Sequence, residues 1–253
     1  MKPENSTVLV TGGAAGLGAA VATKIVERGG AVVIADLNEN AGERLVSELG
    51  ERAVFVSCNV SDAAGVGAAL DAAEYQTKPF RAVVNCAGIV DAAKVVGRDG
   101  PHPLDRFAKI VAVNLTGTFN VIRMAASRLA TAEPGDDGER GVIINTASVA
   151  AYEGQIGQAA YAASKAGVAG MTLPLARELA RHAIRVMAIA PGAFDTPMMA
   201  GMPEDVKAGL IDSIPFPSRL GKPAEFAELA LHIMENTMLN GEVIRIDGAM
   251  RMK

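Results

Sequence analysis

Thr7-Val8-Leu9-Val10-Thr11-Gly12-Gly13-Ala14-Ala15-Gly16-Leu17-Gly18 leads from an apolar run through a glycine-rich turn into a helical pattern. Val, Leu and Val in succession, with no polar alternation, predict a strand buried on both faces. The glycines let the backbone turn tightly and bring its N–H groups close to an anion, which the N-terminus of the following helix stabilises. Gly12, Ala15, Gly16, Leu17 and Gly18 are therefore the candidate phosphate-contacting residues. The spacing is T-G-x-x-x-G-x-G rather than G-x-G-x-x-G, and a tight strand-to-helix turn without a ligand would use the same residues. A strand, a glycine turn and a helix form the first unit of a parallel sheet with helical crossovers.

The same rhythm continues to the other end. Apolar runs rich in Val and Ile occur at 7–11, 31–36, 53–58, 82–85, 142–146, 184–189 and 243–247. Amphipathic stretches of helix length, such as 19–28 and 39–49, lie between them. Seven strands with helical crossovers predict an α/β fold: one open, seven-stranded parallel sheet between two helical layers. No linker, repeat or low-complexity tract divides the chain, so residues 1–253 read as one domain. Three segments break the rhythm: 91–103, 133–141 and 193–220. The third holds Met198, Met199, Met202 and Phe216 with Pro197, Pro203, Pro215 and Pro217. Flexible Met side chains suit an apolar ligand, so this segment is read as a substrate lid.

Composition limits the function. Half of the 253 residues are hydrophobic and Trp is absent, which suits tightly packed small aliphatic side chains. A net charge of −4 with scattered Lys and Arg argues against a nucleic-acid partner. Cys58 and Cys86, the only two cysteines, have no neighbours at metal-ligand spacing, so no metal site is predicted and both read as buried free thiols in a reducing compartment. No run approaches the ~20 apolar residues of a membrane span. Residues 1–6 run straight into the first strand, which leaves no room for a targeting peptide. A soluble, cytoplasmic protein is expected.

Asp36 ends the second predicted strand, twenty residues after Gly16. A carboxylate there accepts hydrogen bonds from both ribose hydroxyls of a dinucleotide and repels a 2′-phosphate, which selects NAD over NADP. Asn38 is the alternative candidate for capping the next helix. Further on, Tyr161 and Lys165 are four residues apart, thirteen residues and more after Ser148. On a helix they share a face. An ammonium ~4 Å from the phenol, at an effective dielectric of ~20, would favour the phenolate by roughly 4 kcal/mol. That is about 3 pKa units before desolvation, enough for proton transfer near neutrality.

The Thr11–Gly18 turn, Asn85-Cys86-Ala87-Gly88, Asn114, Ser148, Tyr161 with Lys165, and Pro191-Gly192 occur in the order and spacing of the short-chain dehydrogenases/reductases, which the whole chain resembles. Gly141-Val-Ile-Ile-Asn-Thr-Ala-Ser148, Glu153-Gly-Gln155, Met171-Thr-Leu-Pro174, Pro215-Phe-Pro-Ser-Arg-Leu-Gly221 and Asn240-Gly-Glu-Val-Ile-Arg245 are similar to one subgroup of them. That subgroup is the type 2 3-hydroxyacyl-CoA dehydrogenases, also called type 10 17β-hydroxysteroid dehydrogenases. The resemblance implies a Rossmann-like fold, NAD-dependent oxidation of 3-hydroxyacyl-CoA thioesters or hydroxysteroids, and a homotetramer. It makes Tyr161 the general acid/base and Lys165 its activator and a ribose contact. Ser148 would hydrogen-bond the reacting oxygen, and Asn114 would hold a water that relays protons from Lys165. Cys86, Ala87 and Gly88 would pass beside the adenosine, with Asn59 and Val60 near the adenine. Pro191, Gly192, Phe194 and Thr196 would hold the nicotinamide end, and Gln155 would line the substrate pocket.

Two positions depart from that pattern. Asn59 stands where many relatives have Asp, and Asp195 puts a charge between Phe194 and Thr196 where small residues are common. Lys94 and Arg98 are the candidates for the phosphates of CoA, and residues 247–253 for contact with a neighbouring subunit. The rival readings are a 3-ketoacyl carrier-protein reductase, a hydroxysteroid or other secondary-alcohol dehydrogenase, and a dinucleotide-binding scaffold without catalysis.

Overall fold

The computed structural model describes residues 1–98, 100–135 and 137–252. Residues 99, 136 and 253, which fall inside two of the predicted irregular segments and the C-terminal stretch, lie outside it. The seven strands of the main sheet are β1 (Thr7–Thr11), β2 (Ala31–Asp36), β3 (Ala53–Ser57), β4 (Phe80–Asn85), β7 (Gly141–Thr146), β8 (Ile184–Pro191) and β9 (Val243–Ile246). Their order is β3-β2-β1-β4-β7-β8-β9, and every pairing is parallel. All seven predicted strands are present, displaced by at most two residues at either end. Segment 91–103 contains a short hairpin, β5 (Val96–Gly97) with β6 (Gly100–Pro101).

The helices are α1 (Gly16–Glu27), α2 (Glu39–Leu49), α3 (Ala63–Glu74), α4 (Leu104–Val111), α5 (Thr118–Leu129), α6 (Ala159–Leu179), α7 (Pro197–Ala200), α8 (Glu204–Asp212) and α9 (Pro223–Glu235). A π-helical stretch, Ala112–Gly117, joins α4 to α5. On one face of the sheet, Val8, Val10, Ile34 and Ile144 pack against Val21, Ile25 and Phe226 of α1 and α9. On the other, Leu9, Val33, Val83 and Ile143 pack against Leu70, Val121, Ile122 and Ala176 of α3, α5 and α6. Burial on both faces explains the missing polar alternation, because each strand residue has a helix above or below it. Each buried Val, Leu or Ile contributes about 1.5–3 kcal/mol.

Segment 133–141 is more than a polar connection. Its Glu139 is buried and accepts from Arg185 Nε at 2.6 Å, while the same guanidinium donates to the carbonyls of Ile233, Met234 and Leu239. Arg185 thereby ties the start of β8 to segment 133–141 through the ion pair and to the end of α9 through the carbonyls. Segment 193–220 is likewise partly helical, holding α7 and α8. Its ends are joined where Asp195 N donates to Gly221 O at 2.8 Å and Gly221 N to Ala193 O at 2.9 Å. No described helix is long and apolar enough to cross a membrane.

Candidate active site

The carboxyl ends of β1, β2, β4, β7 and β8 open onto one cavity of about 610 Å³. That is the range of sites that enclose a cofactor or drug-sized ligand. It lies where a parallel sheet of this winding is expected to bind, at the crevice beyond the strand ends.

At one end, the glycine turn and the β4 turn interlock. Gly12 has φ +62°, and a Cβ on it would meet Ala87 N at 2.6 Å. A Cβ on Gly18 would come within 2.2 Å of Gly12 O. Glycine is required at both positions because backbone sits where a side chain would go. Ala15 caps α1 with no side-chain hydrogen bond, so the first-turn N–H groups have no side-chain acceptor. Unpartnered donors at a helix N-terminus are what a pyrophosphate needs. Gly12, Ala15, Gly16, Leu17 and Gly18 all line the cavity here.

Asp36 also lines it. One carboxylate oxygen accepts from Ala14 N at 3.1 Å and the other from Asn38 N at 3.0 Å, which fixes the group at the rim. Asn38, not Asp36, caps α2 by accepting from Ala41 N. Asn59 and Val60 face the same compartment. The Asn59 amide oxygen accepts from Ser61 N at 3.0 Å, so part of its acceptor capacity is used within its own turn.

At the other end are Ser148, Tyr161 and Lys165. Ser148 follows β7 and caps a single helical turn by accepting from Ala150 N at 3.1 Å. Tyr161 and Lys165 lie on the first turns of α6, as the four-residue spacing predicts. The electrostatics differ from the sequence expectation. Lys165 Nζ donates to Thr146 O at 2.7 Å and lies 5.8 Å from the centre of the Tyr161 ring. Burial pushes the Tyr161 phenol above its ordinary value, partly offset by the neighbouring Ser148 hydroxyl. Burial likewise pushes Lys165 down to about 8. The expected lowering of Tyr161 by Lys165 is thus not found, because desolvation outweighs an ammonium aimed elsewhere.

Asn114 stands behind this end of the cavity. It is fully buried in the π-helical stretch and does not line the cavity. Its side chain grips Ile89 twice, accepting from Ile89 N at 2.8 Å and donating to Ile89 O at 2.9 Å, and also donates to Ser164 Oγ at 3.1 Å. Its main-chain carbonyl accepts from Thr118 Oγ1 at 2.7 Å. The side chain thereby fixes the turn after Gly88.

Cys86, Ala87, Gly88, Pro191, Gly192, Phe194 and Thr196 also line the cavity. Phe194 is held edge-on against Phe226, with centroids 6.4 Å apart. Both cysteines are free thiols, and burial pushes each up to about 11. Gln155, Met198, Met199 and Met202 line the cavity, whereas Phe216 is 83% exposed and stands outside the lining. Lys94, Arg98 and Asp195 are exposed and also outside it. Besides Lys165, Lys109 of α4 reaches the cavity. Sequence reasoning missed it, together with Leu37, Ile89, Val113, Met250 and Met252. Leu37 carried a usable signal, an apolar residue left exposed directly after the strand-end Asp36.

A phosphate-binding turn, a strand-end carboxylate and a Ser–Tyr–Lys set on one cavity define an oxidoreductase that uses a nicotinamide dinucleotide. The chain belongs to the short-chain dehydrogenase family, whose defining pattern matches residues 6–207. It is 51% identical to the 3-hydroxyacyl-CoA dehydrogenase type-2 of Drosophila melanogaster over 251 residues, 98% of each chain. The human protein of the same name is 51% identical over 247 residues, covering 97% of this chain and 95% of that one. The crystal structure of 3-hydroxyacyl-CoA dehydrogenase type-2 from Mycobacterium avium superposes with a TM-score of 0.94 at 47% identity, covering 99% of this chain and 97% of the other. A 3-oxoacyl-[acyl-carrier protein] reductase with bound NAD from Brucella melitensis gives 0.85 at 37% identity, covering 100% and 94%.

Proposed function

We propose that the protein interconverts 3-hydroxyacyl-CoA and 3-ketoacyl-CoA thioesters with NAD. The observation that carries this reading is a single cavity with Asp36 at one end, Ser148, Tyr161 and Lys165 at the other, and an apolar compartment beyond them walled by methionines. When bound, NAD supplies the hydride acceptor; the protein supplies position and proton transfer. Ser148 and Tyr161, which both face the cavity, hold the substrate oxygen between them. Tyr161 takes the hydroxyl proton during oxidation and returns it to the carbonyl during reduction. Burial raises the phenol's pKa and so favours its protonated form, the donor needed for reduction. Lys165 binds the cofactor ribose through its ammonium, and Asn114 acts as a positioning residue that holds Gly88 and Ile89 against it. Residues 193–220 serve as the lid. NADH oxidation with acetoacetyl-CoA, run beside a 17-keto steroid, tests the substrate class. Fast turnover of the thioester is expected, and turnover of the steroid alone would overturn the reading.

Asp36 supports NAD over NADP. Two negative charges ~4 Å apart, at an effective dielectric of ~20, repel by about 4 kcal/mol. NADH is therefore expected to be preferred over NADPH by roughly two to three orders of magnitude in kcat/KM. In Asp36→Asn most of that preference should vanish. An unchanged ratio would remove Asp36 from cofactor selection.

Lys165 gives a pH dependence. Its protonated form attracts the anionic cofactor, and burial brings its pKa down to about 8. Below that value NADH affinity is expected to be flat. Above it, affinity should weaken by up to about tenfold per pH unit, because binding must then take up a proton. Fluorescence titration across this range checks it, with Lys165→Met expected to show weak, nearly pH-independent binding.

A homotetramer in the cytoplasm completes the reading. It is supported by apolar side chains turned outward on α4, α5 and α6, namely Leu104, Phe119 and Leu173, and by two cysteines that remain unpaired. Size-exclusion chromatography with light scattering reads the assembly, and a monomeric mass would overturn it.

A further inference from the structure

Five methionines face the cavity, and two of them, Met250 and Met252, come from the far end of the chain rather than from the lid. Met250 is 1% exposed. A compact ionic network holds the segment that carries them. Arg245 of β9 reaches both carboxylate oxygens of Glu153, Nη1 to Oε1 at 2.9 Å and Nη2 to Oε2 at 3.3 Å. Its Nε donates to Asp247 Oδ2 at 2.7 Å, and Nη2 also reaches the carbonyl of Met250 at 3.0 Å. Met252 N donates to Glu153 Oε2 at 3.2 Å. Arg251 adds bonds to Met250 O and Asp247 Oδ2.

Glu153 therefore ties the terminal segment to the loop that leads into the catalytic helix. Gln155, which lines the cavity, follows it by two residues and Tyr161 by eight. That loop is pressed onto α6, where a Cβ on Gly154 would meet Ala162 Cβ at 2.7 Å. Arg245 also lies over the Tyr152 ring, 5.5 Å from its centroid. The lid methionines differ. Met198 and Met199 ride on the four-residue α7, and Met198 is 47% exposed. A mobile wall adapts to its ligand, whereas a clamped wall rejects what does not fit.

We propose that residues 247–252 form a fixed, specificity-determining wall of the substrate compartment, with Met250 and Met252 setting the size of the acyl group accepted. Arg245 and Glu153 are positioning residues for that wall. The two ionic side chains are about a quarter exposed, so the clamp acts through geometry more than through stabilisation. The inference rests on the acyl-thioester reading above.

The test is a ladder of 3-ketoacyl-CoA substrates of increasing length and branching with NADH, run on wild type, on Met250→Ala/Met252→Ala and on Arg245→Met. The double variant is expected to shift kcat/KM toward the longer and branched members by at least about tenfold relative to the shortest, with NADH affinity unchanged. Arg245→Met should raise KM for the shortest substrate several-fold, and Arg245→Lys should restore part of it. A merely structural Arg245 would lower Tm and leave the chain-length profile unaltered. An identical profile in wild type and the double variant overturns the proposal. If wild type turns over no thioester, the substrate reading has failed instead, and the same variants on secondary ketones of graded size then decide whether the wall exists.

Discussion

Tyr161→Phe is expected to lower turnover by about a thousandfold while NADH affinity and Tm stay close to wild type. A positioned general acid/base contributes about 10²–10⁴ in rate, and this substitution deletes only the proton-carrying oxygen. The ring keeps its shape and its place on the first turns of α6. What is lost is the hydroxyl that faces the cavity beside Ser148 and exchanges the proton. Steady-state kinetics beside a fluorescence titration with NADH separates the two effects. Full activity in this variant would remove Tyr161 from the reaction, and loss of NADH binding would make it a structural residue.

The second large effect is expected at Gly18→Ala. The added Cβ would lie 2.2 Å from Gly12 O and 3.0 Å from Gly13 Cα, backbone atoms that have nowhere to go. Gly12 is itself confined, since the β4 turn meets it at Ala87 N. The strain therefore spreads through both turns that face the phosphate. Overpacking of this kind costs about 1–3 kcal/mol. Read as affinity, that is roughly a 10- to 100-fold loss for NADH, accompanied by a lower Tm. Gly170→Ala is the matched control. It lies within α6 with no atom within 4 Å of its added Cβ, so Ala should raise Tm through up to about 1 kcal/mol of helix propensity. Equal behaviour of the two variants would show that the Gly18 contact is not what holds the turn.

Much of the fold was legible because it is written in local chemistry. Strands 7–11 and 31–36 coincide with β1 and β2, and 39–49 with α2, since buried-strand runs and helical amphipathicity are short-range patterns. The irregular segments were harder to read. Proline and methionine in 193–220 suggested a loop, yet α7 begins at Pro197, the helix position where a missing N–H costs nothing. The π-helical stretch around Asn114 left no trace in the sequence, because an extra residue in a helical turn changes no residue type.

The sequence by itself determined the parallel sheet, the phosphate turn, the strand-end Asp36 and the shared face of Tyr161 and Lys165. Each follows from residues within a few positions of one another, where spacing and backbone geometry suffice. The tertiary structure alone decided three other things: the grip of Asn114 on Ile89, the direction of the Tyr161 pKa, and the presence of Met250 and Met252 in the cavity. These depend on burial and on contacts between segments tens of residues apart. Desolvation and proximity arise only when the chain has packed.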